Sequence, residues 1–169
     1  MVNSNEKLKK ICSFYVSDWH LITMLIPYLK EKLEKTRITT ILEKSLKENI
    51  DILMEKLVIN SNDKKKISSI GWEEKTIHEQ EKIENMLDKC TDKENLVIIV
   101  GSKEYIKTMN DIIEKYSKNT FDGKFITIIN CFEATQFNTT IKEILQEHKY
   151  ILNTSGEKNI SDVFEMYVS

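Results

Sequence analysis

The sequence predicts an α/β protein, a three-layer α/β/α arrangement around a mainly parallel sheet. Three observations carry that expectation. Apolar strand-like runs alternate with amphipathic helical segments almost to the end of the chain, which implies right-handed βαβ crossovers. Leu96-Val97-Ile98-Ile99-Val100 is apolar at every position, as a strand covered on both faces requires. The first run, Ile11-Cys12-Ser13-Phe14-Tyr15-Val16, passes through Ser17-Asp18-Trp19-His20 directly into helical spacing. In nucleotide-binding α/β proteins that turn carries the phosphate loop.

The elements follow in order. Residues 10–16 form the first strand, and Ser17 or Asp18 caps the helix after it, a short side-chain oxygen accepting a free N–H of the first turn. Ile22, Leu25, Ile26, Leu29 and Leu33 define that helix's buried face, and Pro27 inside it predicts a kink. Arg37 to Leu42 is a short β-branched strand, followed by a helix on Leu46, Ile50, Leu53, Met54 and Leu57. Residues 58–66 read as a loop, and residues 66–70 as a short strand ending at Gly71-Trp72. Ile83, Met86, Leu87 and Cys90 mark a third helix, closed by Asp92 to Asn95. After the strand at 96–100, Gly101-Ser102 turns into a helix on Tyr105, Met109, Ile112, Ile113 and Tyr116. Phe125 to Cys131 is a second central strand, followed by a helix on Phe137, Ile141, Ile144, Leu145 and His148. Tyr150-Ile151-Leu152 and Val163 to Val168 are expected to supply the final strands, at an edge.

Composition limits the function classes. The chain has 169 residues, which predicts one domain over residues 1–169 with one buried core. With 40% apolar and 31% charged residues it reads as a water-soluble protein. No apolar run approaches the ~20 residues that span a bilayer, and the polar start lacks a signal-peptide pattern, so no membrane association and a cytoplasmic location are expected. The net charge of −2 is mixed along the chain, and the basic run Lys64-Lys65-Lys66 reads as a solvated loop, so no nucleic-acid partner is expected. Cys12, Cys90 and Cys131 form no CxxC pair and read as core residues, while His20, His78 and His148 share no metal-ligand spacing, so no metal is expected.

Ligands of open α/β sheets bind outside the carboxyl ends of the strands. That rim collects Tyr15, Ser17, Asp18, Trp19, His20, Glu43, Gly71, Trp72, Glu73, Gly101, Ser102, Glu133 and Thr135. A phosphate loop needs closely spaced glycines whose N–H groups wrap the phosphates, and a lysine beside them. The four glycines stand at 71, 101, 123 and 156, and neither Gly-x-x-x-x-Gly-Lys nor Gly-x-Gly-x-x-Gly occurs. A catalytic nucleotide hydrolase is therefore not expected, and no cofactor is implied. A nucleophile elbow is also lacking. Trp72 reads equally as a plug of the sheet rim or as a pocket wall. Glu133 reads as the acidic group of that pocket or as a partner for the following helix dipole. His148 reads as a partly buried capping residue.

Several of these segments resemble MEDS domains, the sensory domains of methanogen and methylotroph regulators such as the dichloromethane-metabolism repressor. The resemblance lies in Phe14-Tyr15-Val16-Ser17 with Ile26-Pro27-Tyr28-Leu29, in Gly71-Trp72-Glu73, and in Ile128 to Glu133 with Phe137 and Glu147 to Leu152. It implies a RecA/KaiC-like fold whose phosphate loop is lost. The chain departs from the pattern at Lys35-Thr36-Arg37, at Phe132, and in a tail without an Asn-Pro-aromatic ending.

The expectation is thus a non-catalytic sensory or regulatory domain binding a small molecule or a regulatory protein. Its ligand-binding residues would be Tyr15, Ser17, Asp18, Trp72 and Glu133. No second domain is expected, so the output would pass through a separate protein or through a homodimer. The alternatives are a small hydrolase or transferase using rim carboxylates and His20, and a purely structural interaction module.

Overall fold

The computed structural model describes residues 8–32, 36–43, 67–72, 77–88, 94–119, 125–134 and 141–163. Its strands are β1 (Leu8–Tyr15), β2 (Thr36–Glu43), β3 (Ile67–Trp72), β4 (Glu94–Val100), β5 (Phe125–Glu133), β6 (Tyr150–Asn153) and β7 (Gly156–Asn159). Its helices are α1 (Asp18–Lys32), α2 (Ile77–Asp88), α3 (Lys103–Asn119), α4 (Ile141–Gln146) and the single turn α5 (Ile160–Val163). The strands form one seven-stranded sheet in the order β3-β2-β4-β5-β1-β6-β7. Every neighbouring pair is parallel except β6 with β7.

Two separate cores show the three layers. Ile11, Tyr15, Ile38, Leu96, Ile98, Val100, Ile129 and Cys131 pack on one face, beneath Leu21, Ile22, Leu25 and Leu29 of α1. Cys12, Ile41, Val97, Ile99, Ile126, Ile128 and Phe132 pack on the other, beneath Ile83 and Leu87 of α2, Met109 and Ile113 of α3, and Ile144 and Leu145 of α4. Alternate residues of the central strands thus enter opposite cores, which explains why β4 is apolar at both parities. Burial of each such Ile or Leu stabilises the fold by about 1.5–3 kcal/mol.

Local sequence explains the element boundaries. Ser17 caps α1: its Oγ accepts the His20 N–H at 3.1 Å, and its carbonyl accepts the Leu21 N–H at 3.0 Å. The helix then runs through Pro27, whose position is exposed. Proline lacks the N–H that would bond the Thr23 carbonyl, and Thr23 is also exposed, so water can satisfy that group. Ser102 caps α3 in the same way, its Oγ accepting the Tyr105 N–H at 3.2 Å.

Three expectations change. Glu94 and Asn95, expected to close a helix, open β4 instead. Val163 belongs to the turn α5 and starts no strand, while the second edge strand is β7, reached through the tight turn Thr154-Ser155. Gly156 supplies the φ of +103° that this turn needs, and Asn153 Oδ1 accepts the Ser155 N–H at 2.8 Å. His148 lies two residues past the end of α4, not within the helix, and is buried. The helix expected on Leu46 to Leu57, the loop at 58–66 and the strand residues 164–168 lie outside the described residues, as do Cys90 and Phe137.

Candidate functional site

The sheet order brings β1 to an internal position between β5 and β6. From β1 the chain turns back toward β2, with α1 on one face. From β5 it goes forward to β6, with α4 on the other face. Adjacent strands whose following helices lie on opposite faces leave a crevice outside their carboxyl ends. Here that crevice lies at Tyr15 and Glu133, which are register partners. Both share the face of Ile11, Ile129 and Cys131, the face covered by α1.

Tyr15 is only 2% exposed, and its hydroxyl, which has no hydrogen-bond partner among the described residues, is not sealed from solvent. Burial pushes its phenol well above the usual range. Negative charge on Cys131, Glu133, Asp18 and Glu43 adds to that shift. Neither Asp18 nor Glu133 has an ion-pair or hydrogen-bond partner among the described residues.

The turn after β1 is closed on itself. His20 Nδ1 accepts the Val16 N–H at 3.0 Å, while Ser17 takes the N–H groups of His20 and Leu21. His20 is thereby held by the backbone, with Nδ1 already committed as an acceptor. Val16 and Trp19 stand beside this turn, 64% and 53% exposed.

The second helix start at the rim is also occupied. Glu43 Oε2 accepts the Ser102 N–H at 3.1 Å, placing a carboxylate where the N-terminus of α3 would attract an anion. Gly101 makes room for it. A Cβ there would lie 2.5 Å from Tyr105 Cδ1 and 3.2 Å from both Cβ and Oε2 of Glu43.

The structure pairs Tyr15 with Glu133 in register and sets Asp18 in the first turn of α1, with Ser17 serving as its cap. Trp72 is the last residue of β3 and the register partner of Glu43, two strands farther along the rim than β4 and at the edge of the sheet. Glu73 and Thr135 lie outside the described residues.

A second polar group, not expected from the sequence, lies under the opposite helical layer. Asn110 and Asn130 exchange amide hydrogen bonds at 2.7 and 3.1 Å. The remaining Asn110 N–H donates to the Ile106 carbonyl at 2.7 Å, and that of Asn130 points to His148 Nε2 at 3.0 Å. The carbonyl of Ile144, 2.6 Å from His148 Nδ1, can only accept, so Nδ1 carries the proton and Nε2 accepts from Asn130. Burial pushes the His148 imidazole down to about 4; the Ile144 bond opposes this and the Lys10 charge adds to it. Every donor of the two amides is satisfied, so the network fixes α3, β5 and the end of α4 to one another. The only prior signal was a histidine on an apolar helical stripe.

Cys12 and Cys131 belong to opposite cores. Burial pushes the Cys12 thiol up to about 12, and that of Cys131 also well upward, so both act as inert core groups. Among the described residues no three acidic, histidine or cysteine side chains come within reach of one metal ion. No described helix is long and apolar enough to cross a membrane. Comparison of the chain with protein-family models, with curated proteins and with solved structures finds no match.

Proposed function

We propose that this chain is a non-catalytic sensory or regulatory domain of the MEDS type, built on a RecA/KaiC-like frame from which the phosphate loop has gone. It binds a small molecule at the rim outside β1 and β5 and passes the signal to a protein partner or through self-association. A cytoplasmic location accords with this reading.

The observation that carries the proposal is the internal use of the donors a phosphate would need. In a phosphate loop, backbone N–H groups and a lysine converge on the ligand. Here the N–H groups of Val16, His20 and Leu21 are already bonded within the turn after β1. The α3 N-terminus holds the Glu43 carboxylate. The nearby lysine, Lys103, is turned to Glu143 of α4 at 3.1 Å. The Tyr15 hydroxyl and the Asp18 and Glu133 carboxyl groups, without partners among the described residues, support binding of a different ligand class. The resemblance of residues 14–17, 26–29, 71–73 and 128–133 to MEDS domains supports the sensory assignment.

A thermal-shift screen of the full chain against nucleotides and small metabolites tests this reading, because a ligand of the native state alone raises the melting temperature. The expected result is stabilisation by a non-nucleotide compound that is recovered chemically unchanged. Conversion of the stabilising compound into product would overturn it.

A further inference from the structure

We propose that α4 and the residues up to His148 form a proton-operated latch: a proton on His148 Nε2 releases this segment from α3 and β5 while the rest of the sheet stays folded. The latch works independently of whatever binds at the rim.

Helix α4 is six residues long, too short to hold a helical conformation alone. Ile144 and Leu145 bury one side of it, and each end carries a polar tie. Near its start, Glu143 Oε2 accepts from Lys103 of α3 at 3.1 Å, an exposed pair that contributes little. Past its end, the His148 N–H meets the Leu145 carbonyl at 3.3 Å. The ring of His148 then bonds the Ile144 carbonyl on one side and Asn130 of β5 on the other. Asn130 in turn holds Asn110 of α3. Among the described residues, the buried polar tie of α4 runs through this one imidazole.

A second proton has only one place to enter. Nδ1 already carries a hydrogen toward Ile144, so the proton must go to Nε2, where Asn130 donates. Two N–H groups would then face each other across 3.0 Å. Turning the Asn130 amide over would offer its oxygen to His148 but set its N–H groups against those of Asn110, 2.7 Å away. Turning Asn110 over as well would bring its oxygen against the Ile106 carbonyl, also at 2.7 Å. No arrangement of the two amides closes around an imidazolium. The cation needs water.

No neighbouring charge replaces that water. The Lys10 ammonium of β1 repels an imidazolium there, and it pairs with Glu114 of α3. Cys12 of β1, beside Asn130 in register, is an uncharged thiol. From β5 the Phe132 ring meets His148 edge-on at 6.1 Å. Lys142, Glu143, Glu147 and Lys149 are exposed. Burial accordingly pushes the imidazole down to about 4, and opening the segment restores its ordinary value of 6.5. The open form therefore gains about twentyfold in population between pH 7 and pH 5.

Amide hydrogen exchange of the full chain, followed by NMR at both pH values and corrected for the pH dependence of exchange itself, tests the latch. The amides of residues 145–148 should lose protection about tenfold or more at pH 5. Those of Val97 to Ile99 in β4 should stay better protected than residues 145–148 at both pH values. Unchanged protection of residues 145–148 overturns the latch. Equal protection of the two segments also overturns it, because α4 would then be released only by global unfolding. His148→Gln should abolish the response, and a response of native size in that variant overturns the role of His148. The native-chain comparison decides the matter even if the variant is unfolded.

Discussion

The Glu43 carboxylate accepts the backbone N–H of Ser102 at 3.1 Å, so the last residue of β2 occupies the N-terminus of α3 from within the chain. A helix start of that kind otherwise attracts a phosphate or sulfate. In the turn after β1 the N–H groups of Val16, His20 and Leu21 are likewise bonded within the chain, so donors at both helix starts are engaged internally while Asp18 and Glu133 have no partner among the described residues. The functional account rests on that imbalance.

Glu43→Ala should uncover the α3 N-terminus. The lost charge-assisted bond is expected to cost about 1–2 kcal/mol in urea unfolding. Inorganic phosphate should then raise the melting temperature of the variant more than that of the native chain. Equal phosphate effects on the two would show that Glu43 is not what fills this position.

Gly101→Ala should destabilise the fold by about 1–3 kcal/mol. The added methyl would lie 2.5 Å from the buried Tyr105 ring and 3.2 Å from Glu43 Cβ, so both neighbours must move. Gly101 has no left-handed φ, so relief of backbone freedom alone would make alanine slightly favourable. The sign of the measured change in urea midpoint decides between the two effects.

Acid should weaken the protein through His148. Its folded-state imidazole is pushed down to about 4, below its ordinary value of 6.5, because burial disfavours the cation. The unfolded chain therefore binds the extra proton between those pH values. The stabilisation is fully present above about pH 6.5 and is lost as pH falls toward 4, by about 3 kcal/mol in all. Urea unfolding between pH 7 and 4 checks this. His148→Gln should be less stable at neutral pH and show a shallower loss on acidification, whereas an unchanged slope would remove His148 as the cause.

Asn110 and Asn130 should be strongly coupled. Each bonds the other through both amide groups, so either single alanine substitution leaves buried polar groups of its partner unpaired. A double-mutant cycle in urea is expected to give an interaction energy of about 0.5–3 kcal/mol. A value near zero would mean the pair is replaced by water at no cost.

Much of the sheet was legible in the sequence because the central strands carry period-independent apolar runs that only a doubly covered sheet accommodates. Val97 and Ile98 enter opposite cores, as such a run requires. Ser17 and Ser102 were legible as turn residues because their oxygens satisfy local N–H groups. The last edge strand was not, since Gly156-Glu157-Lys158-Asn159 is polar and short. Its place comes from the turn at Thr154-Ser155 and from contacts distant in sequence, such as Lys9 with Glu157 at 2.8 Å. At the rim, proximity of Tyr15 and Glu133 follows from strand order, which single-sequence periodicity does not encode. The Asn110–Asn130–His148 network escaped notice for the same reason, its members lying on three elements.

Titration calorimetry of the native chain with magnesium-ATP tests the central claim most directly. With the N–H groups of Val16, His20, Leu21 and Ser102 engaged internally and no phosphate-loop sequence present, no saturable heat and no phosphate release are expected. Stoichiometric magnesium-dependent binding accompanied by turnover would contradict the account, because it would require a phosphate site where Glu43, Ser17 and His20 now hold the donors.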